Sequence, residues 1–208
     1  SRHYISHITL STMVKLFYTP TSCGAASFIS AHVAGLNLEA EQVDLRTHTS
    51  PSGDFYKINP KGNVPTLILA DGTLLNEGAA VLQWIADQNP SSGLAPANGT
   101  SARYLLQAKL NYIASEVHAG CGPLFNPSLG AETKEFVTAR FKTKLAYLND
   151  KELVGKTFLV GDNFTVADSY LYVVLSWQGY LGISLDAYPV VKKYFEHIGS
   201  LDFIKEAH

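Results

Sequence analysis

The stretch Asn59-Pro60-Lys61-Gly62-Asn63-Val64-Pro65-Thr66-Leu67-Ile68-Leu69-Ala70-Asp71-Gly72-Thr73-Leu74-Leu75-Asn76-Glu77-Gly78 packs a turn, a hairpin and a helix start into one short run. Pro60 and Gly62 mark the turn. Thr66–Ala70 and Thr73–Leu75 are strand-forming runs around Asp71-Gly72, a pair suited to a two-residue hairpin because glycine tolerates positive φ. Pro65 stands at a strand start, where an ordinary residue would donate to the ladder. The position therefore suits either a special turn with a cis bond or an ordinary trans proline on an edge. In the first case the N–H and C=O of Val64 would be free to pair with an extended peptide. Glu77 then opens a helical run to Asp87 with Ala79, Ala80, Leu82, Ile85 and Ala86 apolar. A helix N-terminus has unpaired N–H groups and a partial positive charge, so it favours an anion, while Glu77 could accept from an ammonium group. Alone, Glu77-Gly78 is equally a plain helix start.

Upstream, Val14–Tyr18 reads as a strand ended by Thr19-Pro20-Thr21, and Cys23–Ala34 as a helix stopped by Gly35. Ala40–Leu45 is a second strand and Arg46–Gly53 a polar loop. The order β-α-β, connection, β-β-α predicts a small layer of helices on a mixed sheet across residues 13–88. Residues 1–12 carry no apolar signal region and read as an extension outside the fold. Downstream, Asn89–Thr100 is rich in Pro, Gly, Ser and Asn and reads as a linker with no regular element. After it only helical stripes persist: Leu106/Leu110/Ile113/Val117, Val137/Phe141/Leu145/Leu148, Val166/Tyr170/Val173/Trp177 and Val191/Tyr194/Phe195/Ile198. Residues 101–208 are thus expected to be all-helical.

The 208 residues are 46% apolar and 16% charged, with 16 basic against 18 acidic side chains and a net charge of −2. That balance offers a nucleic-acid backbone nothing to hold, and the low charge density suggests an extra buried surface such as a subunit interface. The longest apolar run, Tyr170–Leu175, is far below a membrane span. Two cysteines make no disulfide scaffold and suggest a reducing compartment.

Cys23 sits where a strand and turn enter a helix, a position that favours a thiolate, its own or that of a bound thiol. The ordinary alternative is a small buried hydrophobe. It lacks the second cysteine of a C-x-x-C pair, so redox work would need an external thiol. His118 and Asn111 lie seven apart on one expected helix, hence on one face, although a lone histidine is more often merely satisfied or exposed. Cys121 reads as packing. Thr165-Val166-Ala167-Asp168 is a capping box, with Phe164 stapling onto Ser169 or Tyr170. No metal-ligand spacing is present.

As a colinear set, Lys15–Cys23, Asn59–Leu67, Asp71–Gly78, Leu110–His118 and Phe164–Asp168 resemble the cytosolic glutathione transferases, most of all the bacterial beta class. The resemblance implies an α/β thioredoxin-like N-terminal domain plus an all-α C-terminal domain, in a cytoplasmic homodimer with a detoxification role. It implies glutathione as co-substrate and no metal, nucleic acid or membrane partner. The glutathione backbone would pair with Val64 beside a cis Pro65, in a site that also includes Asn63, and its γ-glutamyl end would meet Glu77 and Gly78. Asn111, Ser115 and His118 would border the thiol, Cys23 would lie against its sulfur, and Tyr18 is a secondary thiol-stabilising candidate. Cys23 and His118 are the expected catalytic residues. His48 falls where relatives carry a lysine near the glycyl carboxylate, and Gly78 where many carry serine. The implied activity is conjugation of glutathione to small hydrophobic electrophiles. Alternatives on the same residues are a thiol-disulfide oxidoreductase working through a Cys23 mixed disulfide and a non-catalytic carrier of hydrophobic ligands.

Overall fold

Strand β1 (Lys15–Tyr18) forms at the centre of the sheet, burying Leu16, Phe17 and Tyr18. The computed structural model describes residues 13–208, so the reading of residues 1–12 as an extension falls outside the described residues. β1 pairs in parallel with β2 (Glu39–Gln42) and antiparallel with β5 (Thr66–Ile68), which returns as β6 (Leu74–Leu75), giving the order β2-β1-β5-β6. The β5–β6 reversal runs through Asp71-Gly72, with Gly72 at φ +84°. Helices α1 (Gly24–Val33) and α2 (Gly78–Gln88) share a core with Leu16 and Leu67, completing a thioredoxin-like unit.

The Arg46–Gly53 loop is more ordered than its composition implies. Thr49–Ser50 (β3) and Gly53–Asp54 (β4) form a two-stranded hairpin. The buried Glu41 carboxylate organises it, accepting from Ser50 Oγ, from Ser52 N at 2.7 Å and from Ser52 Oγ at 2.8 Å, while Lys15 Nζ lies 2.7 Å away. The expected second strand stops short of Leu45 because Asp44 Oδ1 accepts from Arg46 N at 2.8 Å and turns the chain.

The linker contains one short 3-10 turn, Pro90–Ser92, and is anchored at both ends. Asn89 Nδ2 donates to Ala34 O at 2.9 Å. Arg103, only 2% exposed, holds Asp87 bidentately at 2.8 and 2.9 Å and donates to Pro96 O at 3.0 Å. Beyond it, α3 (Ser101–Tyr112) passes through a π-helical stretch, Ile113–His118, into the short α4 (Ala119–Cys121). α5 (Ala131–Tyr147), α6 (Val166–Ser176), α7 (Pro189–Ser200) and α8 (Asp202–Ala207) follow.

Helix α6 is the buried centre of the helical part. Its capping box pairs Thr165 and Asp168 as the sequence suggests, and Asp168 Oδ1 also accepts from Leu159 N at 2.7 Å and Tyr194 OH at 2.6 Å. The expected staple differs: Phe164 packs on Phe203, ring centroids 4.9 Å apart, because Tyr170 points instead toward His118. Ser169 Oγ donates to Ala26 O at 2.8 Å, tying α6 to α1.

Candidate active site

A cleft of about 620 Å³ opens where the N-terminal sheet meets α6 and the π-helical stretch. One wall is the turn-to-helix segment: Gly62, Asn63, Val64, Pro65, Glu77 and Gly78 all line it, as does His48. The Val64–Pro65 bond is cis. This wall is held by three asparagines. Buried Asn59 donates to Asn63 O at 2.9 Å and to Thr66 Oγ1 at 2.9 Å, Asn76 donates to Asn59 Oδ1 at 2.9 Å, and Asn63 donates to Asn76 O at 2.9 Å. The Asn63 side chain is therefore committed to the scaffold. Glu77 lies at the mouth, ion-paired to Lys61, and Gly78 begins α2.

The turn at Gly62 sits at φ +67°, and a Cβ there would meet Tyr56 Cε1 at 2.5 Å and His48 Cδ2 at 3.0 Å. Glycine is required on both counts. His48, itself at φ +53°, stacks on Tyr56 with centroids 4.5 Å apart.

Cys23 caps α1 at the cleft floor, and its thiol donates to Val64 O at 3.1 Å. Burial pushes this thiol up to about 11, further than the amides of Cys23 and Gly24 pull it down, and the Glu77 charge adds to the rise. Of the two thiolates the helix start could favour, its own or that of a bound thiol, that of Cys23 is disfavoured, because desolvation of the charged sulfur outweighs the helix end.

The opposite wall is aromatic. Trp177 and Phe125 meet edge to face at 5.4 Å, and Trp177 Nε1 donates to Thr21 O at 3.1 Å. His118 leans over Trp177 with centroids 5.0 Å apart, and its Nδ1 lies 2.8 Å from Tyr170 OH. Burial lowers the His118 pKa below its usual value, keeping the ring neutral at pH 7.

Three expected site residues lie elsewhere. Tyr18 is buried in the sheet core, stacked on Phe28 at 4.5 Å, with Gln42 donating to its hydroxyl at 3.4 Å. Asn111 and Ser115 face outward, with Ser115 Oγ bonded to Asn111 O at 2.8 Å. A π-helical stretch, Ile113–His118, lies between Asn111 and the cleft-lining His118. Tyr170 lines the cleft although it belongs to a stripe that reads as core, while Phe125 and Trp177, which could be wall or core from sequence, are wall. Among the described residues no group of three His, Cys, Asp or Glu side chains is arranged to hold a metal ion.

Residues 26–88 match the family model described as Glutathione S-transferase, N-terminal domain, and residues 112–202 the one described as Glutathione S-transferase, C-terminal domain. The chain belongs to the glutathione S-transferase family. Within it, the chain is similar to bacterial members. It is 38% identical to glutathione S-transferase GstA of Escherichia coli O157:H7 over 93% of this chain and 96% of that one. The structure of a sphingomonad glutathione S-transferase complexed with glutathione superimposes with a TM-score of 0.89 at 43% identity, covering 93% of this chain and 96% of that one. A bacterial beta-class enzyme from Sphingomonas chungbukensis gives 0.88 at 40% identity, again covering 93% and 96%.

Proposed function

We propose that this protein joins the thiolate of glutathione to small hydrophobic electrophiles. One observation carries the reading: a single cleft has a peptide-reading polar wall facing an aromatic one. On the polar wall, Val64 N–H has no backbone partner among the described residues, and Val64 O retains a second lone pair beside the Cys23 thiol. An extended cysteinyl backbone fits there. The γ-glutamyl carboxylate would lie on the α2 N-terminus at Gly78, with its ammonium on Glu77. His48 would meet the glycyl end, and Cys23 and His118 would flank the sulfur.

The attacking sulfur would be that of glutathione, whose proton leaves to solvent. Its lone pair forms the C–S bond, and the leaving group departs with its bonding electrons. The ring faces of Phe125 and Trp177 would hold the apolar acceptor. The protein would act as a cytoplasmic homodimer: Tyr104 and Leu105 of α3 and Phe136 of α5 are exposed at 62%, 47% and 61%, apolar surface that a second copy would cover. Conjugation of chlorodinitrobenzene at millimolar glutathione tests the proposal. A rate that rises and saturates with glutathione is expected, and no glutathione-dependent rate would refute it.

A further inference from the structure

A second pocket, of about 650 Å³, opens between the loop at residues 153–157 and helix α7, and it shares no lining residue with the cleft. Its walls have two characters. Leu153, Pro189, Val190 and the ring of Tyr194 make an apolar side. The Tyr194 hydroxyl is spent on Asp168 Oδ1, 2.6 Å away, so only the ring is offered to the pocket. The other side carries Lys156, Thr157, Lys193 and His197, and no acidic side chain lines the pocket. Pro189, Lys193 and His197 follow one another at steps of four along α7, which puts them on one face. Lys156 reaches Glu152 at 3.0 Å, but Lys109 holds the same carboxylate oxygen at 2.8 Å, so two lysines meet one carboxylate there. Lys193 forms no ion pair among the described residues. His197 Nε2 is shut off from solvent and has no hydrogen-bond partner among the described residues. An unpaired buried polar atom is costly, so a ligand that pairs with it is favoured.

We infer that this pocket binds an organic phosphate monoester, with its phosphate on Lys156, Lys193 and His197 Nε2 and its organic group on the apolar side. Two ammonium groups, a ring nitrogen able to donate and a threonine hydroxyl suit a phosphate, which presents several oxygens to separate donors. The lining contains no arginine, whose planar fork would match a flat carboxylate. The volume falls within the range of about 300–1,000 Å³ typical of small-molecule sites. A bare inorganic ion would leave Leu153, Val190 and the Tyr194 ring uncovered, so the ester's organic group is part of the fit. The site stands apart from the glutathione reading, because neither its residues nor its chemistry belong to the cleft.

Amide NMR of the nitrogen-15-labelled protein, titrated with phenyl phosphate, tests the assignment, with inorganic phosphate and phenol titrated alongside. Phenyl phosphate is expected to give saturable shifts at residues 153–157 and 189–197, unchanged by millimolar glutathione. Inorganic phosphate should bind the same residues about tenfold more weakly, and phenol should give no saturable shifts there. Lys193→Glu, at an exposed position without an ion pair, should keep the fold and the conjugation rate while raising the Kd for phenyl phosphate at least about tenfold. His197→Leu should raise that Kd several-fold. No saturation by about 10 mM phenyl phosphate, or shifts confined to the cleft, would overturn the assignment without any variant. So would a Kd in Lys193→Glu within about twofold of the wild type. Inorganic phosphate binding as tightly as phenyl phosphate would refute the organic half of the site, and phenol binding as tightly would refute the phosphate half.

Discussion

Replacing Glu41 by Gln tests how a buried charge on β2 supports the hairpin that follows His48. Burial by itself would raise the Glu41 pKa, but Lys15, Ser50 and Ser52 overcome that and hold it at about 2, against an ordinary 4.5. Lowering a pKa by one on folding corresponds to about 1.36 kcal/mol, so the ionised carboxylate stabilises the fold by up to about 3 kcal/mol. Glutamine would put a donor where Ser52 N–H and the Lys15 ammonium need acceptors, and we expect a loss of about 2–3 kcal/mol at pH 7. The folded-state pKa is depressed, so this contribution is fully present above about pH 4.5 and fades as pH falls toward 2. Urea unfolding of wild type and Glu41→Gln at several pH values measures it. The gap between the two proteins should be constant from pH 7 to about 5 and then narrow by about 1.4 kcal/mol for each further drop of one in pH. Because β3 directly follows His48, the glutathione KM should rise in the variant. A gap under about 0.5 kcal/mol at pH 7, the worth of an ordinary surface change, or one that does not narrow in acid, would refute the argument.

Three further outcomes follow from particular contacts. Iodoacetamide should alkylate Cys23 slowly at pH 7 and about tenfold faster per pH unit, with no plateau below pH ~9, since its pKa lies at about 11; mass spectrometry of the modified peptide reads this, and a plateau near neutrality would contradict it. Arg103→Ala should cost about 2–4 kcal/mol in thermal or urea unfolding, with Arg103→Lys recovering little, because a bidentate hold on Asp87 and a bond to Pro96 O are lost from a buried site. Gly62→Ala should destabilise more than Gly35→Ala in the same unfolding measurement and raise the glutathione KM. Both glycines have positive φ, but only at Gly62 does a Cβ strike neighbours, Tyr56 and His48.

The elements that local chemistry determines were legible in the sequence. Asp71-Gly72 makes its hairpin, Thr165 and Asp168 cap α6, and Leu106, Leu110, Ile113 and Val117 are all fully buried along one stripe. Pattern fails where a residue's role depends on a partner far along the chain. Arg103 sits in an amphipathic helix that would normally keep an arginine in water, and nothing nearby reveals that Asp87 waits across the linker. Asn111 and Ser115 do not line the cleft of this chain, and the count that joined them to His118 is interrupted. Counting seven residues assumes a regular α-helix, and a π-helical stretch, Ile113–His118, lies between Asn111 and His118.

Cys23 shows how a correct position can still mislead about chemistry. The sequence places it at a helix start, where backbone amides favour a thiolate, and the structure agrees on the place. What the sequence does not display is the dehydration of the sulfur and the Val64 carbonyl that accepts a hydrogen bond from the thiol, which together favour the protonated form. The same carbonyl belongs to the segment that would read a peptide backbone. A bound peptide thiol would therefore arrive beside a protein cysteine that is protonated and already directed at Val64. Two thiolates side by side would repel each other, whereas a neutral thiol next to an incoming thiolate does not. A raised Cys23 pKa would thus remove one source of repulsion toward a thiolate bound in this cleft.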